Sequence, residues 1–185
     1  MSHYPNAKFV TSANAVSQLV PDEGTEIAFA GRSNAGKSSA INTIVNRRQF
    51  ARTSKTPGRT QLINFFSLAQ ARRLVDLPGY GFARVAPSVQ QHWQALMEAY
   101  FAERSSLVGL FLIVDIRRGI GDFDEQMLAF ATALEIPVHT LLTKADKLKR
   151  GAAATAVLTA RKALGERGTA QLFSSLKKDG VGEAQ

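Results

Sequence analysis

The sequence contains no cysteine and no long hydrophobic run. Among its 185 residues there are also only one tryptophan and three histidines. Without cysteine, a disulfide framework and a thiolate metal site are both excluded. The histidines show no metal-ligand spacing; they are His3, His92 and His139. No window approaches the roughly 18 consecutive apolar residues of a transmembrane helix, and the first residues do not resemble an export signal. We therefore expect a cytoplasmic protein with no membrane segment.

Acidic residues are outnumbered by basic ones. The chain has 15 Asp and Glu against 23 Lys and Arg, which gives a net charge of +8, and its pI is about 10.1. Clustered Lys and Arg bind polyanions because neutralised phosphates release their counterions. The excess therefore favours a nucleic-acid partner, although solubility alone would also account for it. The length is that of one ordinary domain, and we expect a monomer.

Apolar patterning alternates between strands and helices along the chain. Strands are predicted at 26–30, 62–68, 72–76, 107–115, 137–144 and 170–175. Helices are predicted at 38–45, 88–104, 122–134 and 155–168, the third with a capping box of Asp122 and Glu125. The second and third strands are too close for a crossover, so they form a hairpin. We expect an α/β fold in three layers: a mostly parallel six-stranded sheet, one strand antiparallel, with helices on both faces.

The stretch FAGRSNAGKSSAIN, residues 29–42, contains the phosphate-binding pattern GxxxxGK[ST]. Glycine-rich backbone turns its N–H groups toward one point, and the following helix adds the positive end of its dipole. Lys37 supplies a charge at the β- and γ-phosphates, and the Ser38 hydroxyl is suited to ligating Mg²⁺. The position between a strand and a helix supports this assignment. The nucleotide-contacting residues predicted here are Gly31, Arg32, Ser33, Asn34, Ala35, Gly36, Lys37, Ser38 and Ser39.

The string TKAD, residues 143–146, distinguishes guanine from adenine. The Asp146 carboxylate can accept hydrogen bonds from N1–H and the exocyclic amine of guanine, which adenine cannot offer. Lys144 can lay its aliphatic stem along the base and ribose. The string FSS is expected to bring backbone amides to the guanine carbonyl oxygen. The base-binding residues predicted are therefore Thr143, Lys144, Ala145, Asp146, Phe173, Ser174 and Ser175.

Two further strings belong beside the phosphates. In DLPG, residues 76–79, Asp76 follows a strand and can approach Mg²⁺ through a water, while the Gly79 amide faces the γ-phosphate. In TPGRT, residues 56–60, Thr60 is the candidate for a second direct Mg²⁺ ligand. The nucleotide-contacting residues predicted here are Gly58, Arg59, Thr60, Asp76, Leu77, Pro78 and Gly79.

The order of these strings, together with GYGFA and DIR, resembles the EngB (YihA/YsxC) family of bacterial ribosome-assembly GTPases, in the TrmE-Era-like branch. The likeness runs from about residue 8 to the end. It implies a three-layer P-loop NTPase fold: a Ras-like G domain at 25–185, and an N-terminal extension at 1–24 packed on it. A last helix from about Val181 is also implied, longer than the chain ending at Gln185 allows.

The same resemblance implies a function. It predicts binding of GTP and GDP with Mg²⁺, slow GTP hydrolysis, action on ribosomal RNA in maturation of the large (50S) subunit, and a requirement for normal septation in cell division. GTP is expected to order the loops at 53–61 and 77–87 through γ-phosphate and Mg²⁺ contacts, and hydrolysis to release them.

The catalytic machinery departs from that of Ras-like enzymes, which place a water-orienting Gln after the DxxG glycine. Tyr80 stands there instead, and its phenol is a poor substitute. The resemblance implies hydrolysis without that Gln, with a P-loop Asn helping to hold a potassium ion. Asn34 matches that position, unless it only supports the loop turn. Arg59 is a second candidate for the missing charge, as an arginine finger in cis, or else a switch-loop or RNA-contacting residue. The catalytic residues predicted are Asn34, Lys37, Thr60 and Gly79.

Two other functions remain open at this point. An RNA-binding module could keep a structural guanine nucleotide site that does not hydrolyse GTP. An ATP-dependent kinase or transport ATPase shares the P-loop alone, and TKAD argues against it.

Overall fold

The structure is a computed structural model that describes residues 4–51, 62–69, 71–81 and 87–185. Its strands are β1 Lys8–Ala13, β2 Thr25–Gly31, β3 Ile63–Ala69, β4 Arg72–Asp76, β5 Leu107–Asp115, β6 Val138–Thr143 and β7 Thr169–Leu172. Its helices are α1 Lys37–Ile44, α2 Pro87–Glu103, α3 Asp122–Ala133, α4 Arg150–Leu164 and α5 Val181–Ala184. Short 3₁₀ turns lie at Val16–Gln18, Ala145–Lys147 and Gly165–Arg167. No helix in this described part is long and apolar enough to cross a membrane.

The strands form one sheet in the order β1-β3-β4-β2-β5-β6-β7. Only β3 runs against the others, because it pairs antiparallel with both β1 and β4 while the remaining pairs are parallel. The predicted α/β class and the single antiparallel strand are therefore confirmed. The predicted count of six strands is too low, because the residues that the structure describes already form seven.

The additional strand is β1, at the edge of the sheet. Its sequence, KFVTSA, leaves Lys8, Phe9 and Val10 all exposed, and only Ala13 is fully buried. A strand without apolar alternation gives no period-two signal, so the sequence pattern could not identify it.

One helix start and one helix cap also differ from the predictions. Helix α4 begins at Arg150, five residues before the predicted 155, because GAAA has no apolar periodicity although alanine is the strongest helix former. Helix α3 has no capping box between Asp122 and Glu125. Instead the Gly121 N–H donates to Asp124 Oδ2 at 2.9 Å, so the cap lies one residue earlier.

The sheet is covered on both faces, which gives the three layers. One face packs against α2, α3 and α4 through buried residues that include Leu112, Tyr100 and Leu128. The other packs against α1 and α5 and includes Ile113 and Ile41. Successive side chains of β5 pack on opposite faces of the sheet, as expected for a central strand that is covered on both sides. The C-terminal end joins this layer, since the Gln185 side-chain amide donates to the Ile44 carbonyl at 2.8 Å.

A buried ion cluster fixes the start of β2. Glu26 is fully buried, and it accepts hydrogen bonds from Arg104 at 2.5 Å, Arg73 at 2.8 Å and Tyr100 at 3.1 Å. A buried carboxylate is tolerated only when its charge and lone pairs are satisfied in this way. The cluster joins β2, β4 and α2, and β2 leads directly into the glycine-rich loop.

Candidate nucleotide-binding site

The loop between β2 and α1 is built on two glycines. Gly31 ends β2 against β5, where a Cβ would lie 2.7 Å from the Ile113 carbonyl oxygen, so no larger residue fits without a shift. Gly36 has φ +102° and caps α1, a left-handed conformation that side chains disfavour. Helix α1 therefore begins directly after a closely packed turn, and the free amides at a helix start suit a bound phosphate.

The loop lysine meets the DLPG string. The Lys37 ammonium donates to Asp76 Oδ1, and their side chains are 12% and 7% exposed. Asp76 is the last residue of β4, and β4 lies beside β2, so the parallel pairing brings both groups to one edge of the sheet. The structure thus pairs the lysine assigned to the phosphates with the carboxylate assigned to Mg²⁺, a contact that the sequence reasoning did not predict.

Backbone hydrogen bonds hold the DLPG string against the loop. The Leu77 N–H donates to the Phe29 carbonyl at 3.0 Å, and the Ser33 N–H donates to the Tyr80 carbonyl at 2.8 Å. Gly79 lies between these contacts, and a Cβ on it would be 3.4 Å from Ser33 Cα. The Gly79 backbone therefore lies directly beside the P-loop.

Tyr80 is fixed by a buried carboxylate. Its hydroxyl donates to Asp124 Oδ1 at 2.5 Å, and both residues are 5% exposed. Burial raises the pKa of Tyr80 and that of Asp124. The phenol is therefore held at the start of α3, which fits the expectation that it does not replace a water-orienting Gln. Sequence reasoning missed Asp124, since nothing in a linear pattern pairs it with Tyr80.

A Tyr80→Phe substitution is expected to lower the free energy of unfolding by about 1 to 3 kcal/mol, because Asp124 then loses a buried donor. Urea denaturation measures the change. Tyr4→Phe is the matched control: the Tyr4 hydroxyl donates to the Gln185 carbonyl at an exposed position, so we expect a loss below about 0.5 kcal/mol. Equal effects of the two substitutions would contradict the assigned role of the buried bond.

The TKAD string is tied to the P-loop by its first two residues. The Thr143 hydroxyl donates to the Ala35 carbonyl and, at 3.1 Å, to the Val114 carbonyl. The Lys144 ammonium donates to the Asn34 carbonyl at 2.8 Å. The base-recognition segment and the phosphate loop are therefore fixed to one another.

Asp146, the predicted guanine acceptor, is held by the FSS string. The Ser174 hydroxyl donates to Asp146 Oδ1 at 2.7 Å, and this hydrogen bond lowers the pKa of Asp146. The Ala145 N–H also donates to the Phe173 carbonyl at 3.2 Å. The carboxylate therefore stays ionised at neutral pH and keeps lone pairs for a ligand. Ser175 follows on the same segment, partly buried.

Asp115, at the end of β5, is a site residue that the sequence reasoning did not select. Its carboxylate accepts from Arg117 Nη2 at 2.7 Å and from Lys144 Nζ at 2.9 Å. The Arg117 hydrogen bond holds the pKa of Asp115 well below its usual range. Asp115 therefore positions the lysine of TKAD. The sequence did contain a signal for Asp115, which is an acidic residue at the end of a strongly apolar strand.

The remaining predicted residues divide into two groups. Gly58, Arg59 and Thr60 lie outside the described residues, so the second Mg²⁺ ligand and the arginine finger stay predictions. Leu77 is buried, whereas Arg32, Asn34 and Ser39 are exposed at the loop. Within the ranges that the structure covers, no cluster of three His, Asp or Glu side chains could hold a metal.

Comparison with known proteins agrees with this geometry. The profile of the 50S ribosome-binding GTPase family matches residues 26–144. A protein of Idiomarina loihiensis described as a probable GTP-binding protein EngB is 51% identical, over 98% of this chain and 90% of its own length.

Solved structures share the fold. The crystal structure of a probable GTP-binding protein EngB matches with a TM-score of 0.69 and 22% identity, covering 86% of this chain and 94% of that one. Era from Aquifex aeolicus, bound to GDP and aluminium fluoride, matches with a TM-score of 0.67 and 19% identity, over 86% of this chain and 54% of Era.

Proposed function

The chain belongs to the EngB family of GTP-binding proteins, and from this membership we propose that it is a GTP-dependent switch in assembly of the large ribosomal subunit. It is a P-loop GTPase. The observation that carries the nucleotide part is the placement of Lys37, Asp76 and Asp146 around one loop.

Each of these groups has a defined task toward GTP. The P-loop amides and Lys37 bind the phosphates, and the ionised Asp146 accepts the hydrogen bonds of guanine. Lys144, held by Asp115 and the Asn34 carbonyl, connects the TKAD string to the P-loop. Gly79 packs beside Ser33, so its amide can respond to a γ-phosphate at the P-loop.

The oxygen-bearing side chains beside the P-loop are of the kind that binds a magnesium ion. Ser38, Asp76 and, from the sequence, Thr60 would hold Mg²⁺, a hard cation that prefers hydroxyl, carboxylate and phosphate oxygens. When bound, the ion would neutralise charge on the phosphates.

Binding to the large subunit is supported by two observations. The matching family is described as a 50S ribosome-binding GTPase, and the net charge of +8 favours ribosomal RNA as the contact. Loss of the protein would then limit large subunits, and the family resemblance supports a requirement for the protein in normal septation.

Co-sedimentation with purified ribosomal subunits tests this proposal. We expect association with the large subunit in a non-hydrolysable GTP analogue and weaker association in GDP. Equal association in both nucleotides would contradict a switch. Single-turnover GTP hydrolysis with ribosomes present separates the switch from an RNA-binding module with a structural nucleotide, which would show no cleavage.

Asn34 provides a test of the missing catalytic charge. It lies exposed in the P-loop with φ +63°, and its carbonyl accepts from Lys144. We expect GTP hydrolysis to be about tenfold faster in potassium than in sodium. A potassium ion at the β–γ bridge would stabilise the charge that develops there and so lower the activation free energy by about 1.4 kcal/mol. Asn34→Ala should abolish the difference while GDP affinity stays within about threefold. Equal wild-type rates in the two salts would contradict this role.

A further inference from the structure

A groove lies at the edge of the sheet formed by β1, separated from the P-loop strand β2 by β3 and β4. It runs between β1, β3 and the segment that follows α1, and its volume is about 570 Å³. The residues that define it chemically are Lys8, Phe9, Arg47, Gln49, Phe50 and Phe66. None of these residues belongs to the nucleotide site.

Three phenylalanines form a continuous aromatic surface in this groove. The rings of Phe9 and Phe66 meet edge to face with centroids 5.7 Å apart, and those of Phe66 and Phe50 lie 4.6 Å apart. Phe66 is buried, whereas Phe9 is 54% exposed. The buried ring of Phe66 therefore supports the outer ring of Phe9, which offers an apolar surface to a ligand.

The charge of the groove is entirely positive. Lys8 is exposed, and Arg47 is fixed by donating to the Pro5 and Ala7 carbonyls. No Asp or Glu is among the described residues that line it. Asn64 adds a side-chain amide whose oxygen already accepts from the Ser12 hydroxyl at 2.6 Å, which leaves its N–H groups as donors. Aromatic rings among cations and amide donors match the stacking platforms that bind single-stranded nucleic acid.

The same edge is poorly suited to pairing with another strand. The register between β1 and β3 shifts between Phe9 and Thr11, so β1 carries a bulge, and Lys8 lies at its exposed end. Bulges and edge lysines are the features by which sheets discourage strand addition. A peptide strand is therefore a poorer occupant than a polyanion with flat rings.

We propose that this groove binds a single-stranded RNA segment, with a base stacked on Phe9 and phosphates neutralised by Lys8 and Arg47. The proposal deepens the proposed function, because ribosomal RNA is the RNA that a large-subunit switch would meet. It requires no nucleotide at the P-loop.

Fluorescence anisotropy with a labelled 12-nucleotide single-stranded RNA, and with the same sequence as a duplex, tests the groove. Phe9→Ala should weaken single-strand binding about tenfold or more, because stacking on an aromatic ring contributes that much per base, while Phe9→Tyr keeps the affinity. Lys8→Ala should lower the slope of log K against log salt by about one. Lys162→Ala, an exposed lysine on α4, is the charge control, and its effect should be smaller than that of Lys8→Ala.

Two results would contradict binding of single-stranded RNA in the groove. One is a Phe9→Ala variant that binds RNA as tightly as the wild type, and the other is a duplex that binds as tightly as the single strand. If Phe9→Ala weakens co-sedimentation with subunits but not RNA binding, a protein occupies the groove and the RNA proposal is wrong. A different result would show that the proposed function is wrong. In that case the wild type would bind the oligonucleotide through Phe9 but would not associate with the large subunit. GDP affinity should be unchanged in every variant. Thermal melting should be unchanged in Lys8→Ala and Lys162→Ala, whereas Phe9→Ala loses the edge-to-face contact with Phe66 and should melt lower by about 2 to 4 °C.

Discussion

Asp146→Asn is expected to reduce the affinity for GDP by about 10³-fold or more and to give the site a preference for xanthine nucleotides. The carboxylate accepts from two guanine N–H groups, and an amide would point a donor at one of them. A site built around such hydrogen bonds rejects a mismatched ligand by several orders of magnitude. Xanthine has a carbonyl in place of the guanine amine, so the new amide N–H regains a partner. Titration with fluorescent GDP and XDP measures both changes.

The surroundings of Asp146 allow this substitution to change guanine recognition without disturbing the fold. The Ser174 hydroxyl donates to Asp146 Oδ1, and the carbonyl oxygen of the substituted side-chain amide can accept the same bond, so the fold should be retained. Lys147→Gln is the control, since that ammonium lies 3.7 Å from Asp146 Oδ2 and its side chain is 57% exposed. Its effect on GDP affinity should be below about threefold, as for a surface ion pair. An Asp146→Asn protein that still prefers GDP would contradict the guanine assignment.

The Ser174 hydrogen bond also defines the pH dependence of guanine binding. It lowers the pKa of Asp146, so the carboxylate remains ionised at and above the ordinary Asp value of 3.8. Binding that needs the ionised form is lost only as the pH falls through the lowered value. Guanine selectivity should therefore be constant between about pH 6 and about pH 8.

Residues that lie within one motif were the most predictable part of this site. The strand at 107–115 has the predicted bounds because its residues form an almost unbroken apolar run, the pattern of a strand covered on both faces. The P-loop, DLPG and TKAD strings meet because parallel strands deliver their carboxyl ends to one edge. Local spacing and strand order were sufficient for these residues.

Contacts between distant segments could not be predicted in the same way. Asp124 is 44 residues from Tyr80 and belongs to no nucleotide-binding string, so only the packing of α3 beside the P-loop brings the two together. β1 was missed because its partner, β3, supplies the hydrophobic face while β1 itself stays half exposed. In both cases tertiary contacts, and not local patterning, decide the structure.

Lys37→Ala is expected to slow single-turnover GTP hydrolysis by about 10²- to 10³-fold, because the ammonium is a preorganised charge beside the transferring phosphoryl group. The effect should depend on the length of the phosphate chain. Lys37 is assigned to the β- and γ-phosphates, so GDP affinity should fall while the affinity for GMP, which lacks both phosphates, stays within about threefold. Equal losses for GDP and GMP would indicate a damaged loop and not a missing charge.

The ion pair with Asp76 gives this substitution a second, separable consequence. Lys37→Ala leaves the Asp76 carboxylate, whose side chain is 7% exposed, without that cation. Unfolding should therefore become easier by about 1 to 3 kcal/mol, the usual penalty for a polar group that loses its partner. Asp76→Asn in the same chain removes the unpaired charge, so the double variant should regain most of that stability, and because Asp76 is also assigned to Mg²⁺ it should hydrolyse GTP no faster than Lys37→Ala. If stability and hydrolysis recovered together, the hydrolytic defect would be a consequence of unfolding, and Lys37 would have no direct role at the phosphates.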